Sequence, residues 1–350
     1  MRCRILTAAI LTIAVVFCFS IPVVYDFSDK TRVLQKEYHA VWFSYSDWQK
    51  ELSDLDEAEF TLAVDGILGN CKKRGLNTVI LQLRAFGDAF YDSALFACSK
   101  YLGVKPDYDP LEIWLRLADR HGIAIEGWVN PFRMGKDADA IPEYAGKTPR
   151  YAAAENGYLW LDPADETTVK LILAGLAELA EYPLAGIQFD DYFYAGVSPQ
   201  AFGYDAKTAK AALDRLIKQV GEQLTIPFGI SPQGNFTADG IPVSDVRQYT
   251  SLQSWCEQGY IDYLMPQVYY GFAHETAPFE PTVEHWCKLA GDTPLYIGLA
   301  AYKCGSEDVY AGSGRAEWMA GWEVIDAQIA ALEGVTDGYT LFRYAYLDAE

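Results

Sequence analysis

Histidine is scarce in this chain. Only four occur in 350 residues, and none forms an H-E-x-x-H pattern, which disfavours a histidine-based metal hydrolase. Cysteine is thin as well. There are seven, with no C-x-x-C pair, so the spacing argues against a zinc site. Cys3 and Cys18 fall at the extreme N-terminus. The other five (Cys71, Cys98, Cys256, Cys287 and Cys304) are widely spaced and odd in number. They read as buried small hydrophobes rather than a disulfide framework. No Gly-rich phosphate turn follows the first strand pattern, where the chain reads "SYSDWQKELSD". No Ser/His/Asp set has recognisable spacing. No metal and no cofactor are therefore expected. Positive charge is also in deficit: 28 Lys and Arg face 48 Asp and Glu, a formal net charge of -20. That balance argues against a nucleic-acid partner and against electrostatic docking on anionic lipid. Most of the charge reads as solubility.

Apolar residues are abundant, at 51% of the chain with 14% aromatic. A chain of this length can bury a large core, as one large α/β domain or two smaller ones. The N-terminus opens on the basic "MRCR" and continues uncharged over residues 5–25. This pattern is an export signal or an uncleaved anchor. It lacks a clean small-x-small cleavage site, which tilts the reading towards an anchor and places the remainder outside the cytoplasm. The expected organisation is residues 1–25 as signal or anchor, 26–37 as a short linker, and 38–350 as a single catalytic-type domain. Membrane contact is expected only through the N-terminal segment.

After residue 37, short β-rich runs alternate with helical patterns. The strand candidates are "HAVWFSY", "NTVILQLR", "IAIEGWVN", "GIQFDDYF", "PFGISPQ", "IDYLMPQVYY", "PLYIGLAAY" and "GYTLFRYAY". The first three helical stretches each open with Asp, and two of them stop at Gly75 and Gly122. Eight such strands predict an α/β fold, a parallel (β/α)₈ TIM-type barrel, in preference to an open doubly wound sheet. The eighth strand lies near the C-terminus, so the eighth helix is expected to be absent. The longest irregular segment, residues 134–158, is expected above the active face, as a ligand-covering loop or a passive insertion.

In such barrels the reactive groups sit at the C-terminal ends of strands. The side chains there are carboxylates, amides, a few arginines and many aromatic rings. Aromatic faces stack on sugar rings, and amides and carboxylates bind vicinal hydroxyls, so the set favours glycoside chemistry. Alternation places Gln188, Asp190 and Tyr192 on one face of the fourth strand and Phe189 and Asp191 on the other. If Phe189 packs outward, Asp190 enters the barrel mouth, and Asp191 points away unless the strand has already ended. Glu126 shares a face with Trp128 and Asn130 but lies deeper, where a buried network with Gln82 or Gln188 competes with a catalytic role. Arg84 either orients Asp190 or contacts substrate. Asp88 is a substrate contact or a turn residue of "FGDAF". Trp128 and Tyr269 are sugar platforms or core.

"LQLRAFGDAFYDS", "DPLEIWLRLADRHGIAIEGWVNPFR", "GIQFDDYFY", "FGISPQG" and "IDYLMPQVYY" together resemble the bacterial glycosyl-hydrolase-like barrel family of cell-envelope proteins. The resemblance spans roughly residues 37–346 and rests on five motifs in order. It implies a barrel glycosidase relative, some members acting on peptidoglycan strands stripped of their stem peptides. It falls on Gln82, Arg84, Gly87, Asp88 and Tyr91, on Trp128, Asn130, Pro131 and Arg133, and on Asp190, Asp191 and Tyr192. It continues at Ser231, Pro232, Gln267 and Tyr269. The chain departs from the family pattern at Glu126 and Gln188, where His is usual, and at "SPQG", where "SPFG" is usual.

The resulting expectation is hydrolysis of an N-acetylated amino-sugar glycan of the cell envelope, such as peptide-free peptidoglycan. Asp190 is the first carboxylate, with Asp191 or Glu126 as its partner. Substrate contacts are expected from Gln82, Arg84, Asp88, Trp128, Asn130 and Arg133, and from Gln188, Tyr192, Ser231, Gln233, Gln267 and Tyr269. Two alternatives remain at this level: a non-catalytic glycan-binding barrel, and an esterase or deacetylase acting on polysaccharide substituents.

Overall fold

The computed structural model describes residues 37–190 and 193–347. The expected N-terminal signal or anchor, most of the short linker, Asp191 and Tyr192 lie outside the described residues. Among the described residues, no helix is long and apolar enough to cross a membrane.

The strands are β1 (Tyr38–Phe43), β2 (Thr78–Arg84), β3 (Ala124–Val129), β4 (Gly186–Asp190), β5 (Phe228–Ser231), β6 (Tyr263–Leu264), β7 (Tyr296–Leu299) and β8 (Gly338–Leu341). They pair in parallel in the order β6-β5-β4-β3-β2-β1-β8-β7. Parallel bridges from Leu264 to Leu295 and from Gln267 to Gly298 join the two outer strands. The sheet thus closes into the (β/α)₈ barrel that the alternation implied. Strand β6 is short because Pro266 follows it without an N–H to donate. Its pairing resumes where the Gln267 N–H meets the Pro232 carbonyl at 2.9 Å.

Around the barrel run α1 (Tyr45–Leu52), α2 (Glu57–Lys73), α3 (Pro110–His121), α4 (Glu166–Ala180), α5 (Ala206–Gln223), α6 (Val243–Arg247), α7 (Leu252–Glu257), α8 (Phe279–Ala290) and α9 (Trp322–Leu332). Their ends follow the sequence signals. Asp56, Asp109 and Asp165 cap α2, α3 and α4, each accepting from a first-turn N–H. Gly122 ends α3 at φ 64°, a left-handed position that suits a residue without Cβ. Among the described residues, β8 leads into a short 3₁₀ turn, Tyr344–Tyr346. The irregular segment after β3 holds a small antiparallel hairpin, Tyr151–Ala153 with Leu159–Leu161.

Two separate apolar clusters follow from strand alternation. Outward-facing residues such as Val79, Leu81, Ile125, Ile187 and Phe189 pack under the helices. Inward-facing Tyr38, Trp42, Ile80, Trp128, Tyr263, Met265 and Tyr296 fill the barrel. The Tyr38 and Tyr296 rings stack with centroids 4.0 Å apart. Small residues make room for these rings. A Cβ on Gly229 would lie 2.1 Å from the Tyr263 ring. One on Gly298 would lie 2.9 Å from Trp42.

Candidate active site at the barrel mouth

Strand β4 carries the acid that alternation selects. Phe189 packs outward, edge-on to Phe228 at 4.9 Å. Gln188 and Asp190 therefore point inward. Gln188 accepts from the Trp42 indole N–H at 2.8 Å and lies fully buried in the barrel. Asp190, one step nearer the mouth, is 3% exposed. Its Oδ2 accepts from Trp128 Nε1 at 3.1 Å and its Oδ1 from Asn130 Nδ2 at 2.6 Å. Both donors come from the inward face of β3 and its end, so the spacing of Glu126, Trp128 and Asn130 builds this cradle.

A chain of hydrogen bonds extends around the rim. Asn130 Oδ1 accepts from Gln82 Nε2 at 2.6 Å and from Arg133 Nη2 at 3.4 Å. Gln82 Oε1 in turn accepts from the Tyr45 backbone N–H at 2.8 Å. Arg133 is held by its Nε on the Ala85 carbonyl and lies over the Phe86 ring. On the opposite side, Gln267 Nε2 donates to the Ser231 carbonyl and hydroxyl, and Gln233 pairs with Gln267 across strands. Gln82, Arg133, Ser231, Gln233, Gln267 and Tyr269 border a mouth cavity of about 430 Å³. That volume suits a sugar-sized ligand.

The remaining wall comes from β1 and β8. Trp42, Ser44, Tyr45, Ser46, Phe342 and Arg343 all line the cavity. The expected substrate contacts did not include them. Asp47, fully buried at the third position of α1, fixes this corner. It accepts from the Ser44 N–H and hydroxyl, each at 2.8 Å, and from Arg343 Nη1 at 2.5 Å. Ser44 and Arg343 stand at strand ends, which was the available signal. Their contact spans almost the whole chain, and only closure of β1 onto β8 brings them together.

Several expected site residues lie elsewhere. Arg84 does not reach Asp190. A register shift between Gln82 and Arg84 breaks the alternation of β2, and Arg84 turns out to the helix layer, over the Phe96 ring at 4.6 Å. Asp88 is the turn residue of its loop: its Oδ1 accepts from the Ala85 and Phe86 N–H groups. Gln188 sits below the cavity rather than on its wall. Glu126 lies deeper still, accepting from the Tyr263 hydroxyl at 2.9 Å. Burial raises its pKa to about 7, with the neighbouring Tyr38 and Tyr263 phenols offsetting part of the shift. Asp190 is the carboxylate that lines the cavity among the described residues. Also among them, no group of three His, Cys, Asp or Glu side chains is placed to hold a metal ion.

The chain is similar to proteins of related architecture. It is 30% identical over 315 residues to Glycosyl hydrolase YngK of Bacillus subtilis, an alignment covering 77% of this chain and 61% of YngK. It is 28% identical over 334 residues to Glycosyl hydrolase DigH of Escherichia coli, covering 80% of this chain and 75% of DigH. The chain thus spans under two thirds of the length of YngK. Among solved structures, a class V chitinase from Pseudomonas fluorescens superposes with a TM-score of 0.51 at 13% identity, covering 89% of this chain and 96% of that one. At that identity the likeness concerns the fold. The family model described as Glycosyl hydrolase-like 10 matches residues 39–213 and 209–318. With most of the barrel matched, the chain belongs to the Glycosyl hydrolase-like 10 family.

Proposed function

We propose that this protein is a glycoside hydrolase of the cell envelope, acting on an N-acetylated amino-sugar glycan such as peptide-free peptidoglycan. The observation that carries the reading is a buried carboxylate, Asp190, held by Trp128 and Asn130 on the wall of a sugar-sized cavity. Family membership and the names of YngK and DigH support a glycan-acting hydrolase. The basic and then apolar N-terminus supports export.

Both oxygens of Asp190 accept hydrogen bonds, an arrangement suited to a carboxylate that stabilises positive charge growing at the anomeric carbon. Its partner is then the acid that protonates the leaving glycosidic oxygen. Glu126 is too deep to line the cavity, so Asp191, next in sequence, takes that role in our reading. The fifth strand ends in "ISPQGN", without a further acid. This favours a substrate-assisted route, in which the N-acetyl carbonyl oxygen attacks the anomeric carbon as the glycosidic bond breaks. Water then opens the cyclic intermediate and returns the acid's proton. The aromatic faces of Trp42, Trp128, Tyr269 and Phe342 supply stacking for sugar rings, while the amides of Gln233 and Gln267 bind hydroxyls.

The test is release of reducing ends from peptide-free peptidoglycan strands, with products identified by mass. Wild type is expected to shorten the strands. Asp190→Asn is expected to lose about 100-fold or more of the rate, with its melting temperature close to wild type. Full activity in Asp190→Asn would sink the assignment. One observation favours a second reading: a single carboxylate lines the cavity among the described residues. Strand binding by wild type without any new reducing ends would mark a glycan-binding barrel.

A further inference from the structure

Arg84 occupies an unusual place for a guanidinium. It is 3% exposed, between the barrel wall and α4. Its Nε and Nη2 meet no hydrogen-bond acceptor among the described residues. Among the described residues, no carboxylate lies within ion-pair distance of it. Glu178 on α4 attracts it from further away. That carboxylate is already engaged by the Tyr91 and Ser93 hydroxyls and the Ala94 N–H. A narrow cavity opens beside Arg84, bordered also by Gly87, Phe96, Asn130, Met134 and Leu171. Its volume is about 10 Å³, which is room for one small occupant.

A buried lysine in such a place can shed its proton. Arginine keeps its charge at any ordinary pH, so the charge must be compensated from outside the side chain. The face of Phe96 supplies part of this. Water in the cavity would satisfy the N–H groups and leave the charge in place. A monatomic anion does both. We propose that this cavity is a monovalent-anion site, in which a halide such as chloride accepts from Arg84 Nε and Nη2. The site is separate from the sugar-sized cavity, and the proposal holds whatever that cavity binds. Asn130 borders this small cavity and donates to Asp190 on the wall of the larger one, so the anion would also brace the strand end from which Asn130 reaches Asp190.

Two measurements on the full chain test this. Crystals soaked in bromide are expected to show an anomalous peak beside Arg84. Thermal melting in chloride or bromide is expected to exceed melting in gluconate by about 2 °C or more, saturating with halide concentration. Ionic strength must be matched, because a chain of net charge -20 gains stability from screening alone. Arg84→Met is expected to lose the halide dependence; if that variant fails to fold, the wild-type peak and saturation curve decide. Bromide peaks elsewhere only, or melting that follows ionic strength irrespective of the anion, would overturn the proposal.

Discussion

Glu126 is a carboxyl group surrounded by phenols at the bottom of the barrel. Its folded pKa of about 7 stands above an ordinary value of 4.5. The folded state therefore holds this proton more tightly than the unfolded chain does. The resulting contribution to stability is fully present below about pH 4.5 and is lost as pH rises through about 7. At roughly 1.4 kcal/mol per unit, the loss is of order 3 kcal/mol. Glu126→Gln keeps the shape and removes the titration. Denaturant unfolding at pH 5 and pH 8 is expected to show wild type losing stability relative to this variant. Parallel pH dependence in the two proteins would refute the account. Asp190 was legible from alternation alone, because an apolar neighbour, Phe189, declares the outer face. Arg84 obeyed no such rule: one bulge reversed its side, and nothing in "LQLRAF" marks a bulge.

At the scale of elements, α4 and α2 differ in what their glycines meet. Gly175 on α4 is buried, and a Cβ there would lie 2.2 Å from Arg84 Nη1 and 2.5 Å from the Phe96 ring. Gly66 on α2 has nothing within 4 Å of that position. Helix propensity alone favours alanine over glycine by about 1 kcal/mol at either site. At Gly66 that gain stands, so Gly66→Ala is expected to raise stability by about 0.5–1 kcal/mol. At Gly175 it competes with overpacking against the buried guanidinium and the ring stacked on it, which costs about 1–3 kcal/mol. Gly175→Ala is expected to be destabilising in chemical denaturation, and a stabilised variant would show that α4 shifts outward freely. The helix itself was readable from its Asp cap and apolar spacing. Its closeness to the barrel at Gly175 was not, because that depends on a side chain from β2.

At the scale of the molecule, the described residues form a barrel that holds together without covalent cross-links. Cys71, Cys98, Cys256, Cys287 and Cys304 are all free thiols, and Cys71 and Cys256 are buried. Burial raises the Cys256 thiol to about 11, out of the reactive thiolate range. Reducing agent is therefore expected to leave the melting midpoint unchanged, as calorimetry with and without it would show. A drop of several degrees would mean that a disulfide forms and contributes.

The sequence by itself determined the strand and helix order, the caps, the barrel class and the inward aim of Gln188 and Asp190. These follow from local rules: a two-residue period in strands, a helical period between them, and polar residues at helix ends. Tertiary structure decided the rest. Closure of β8 onto β1 set Arg343 against Asp47, a pairing no local pattern encodes because the partners lie at opposite ends of the chain. Barrel depth separated Glu126 from the cavity, although it shares a face with Trp128 and Asn130. The bulge in β2 carried Arg84 from the site to the helix layer, since a single added residue inverts every later side chain on a strand.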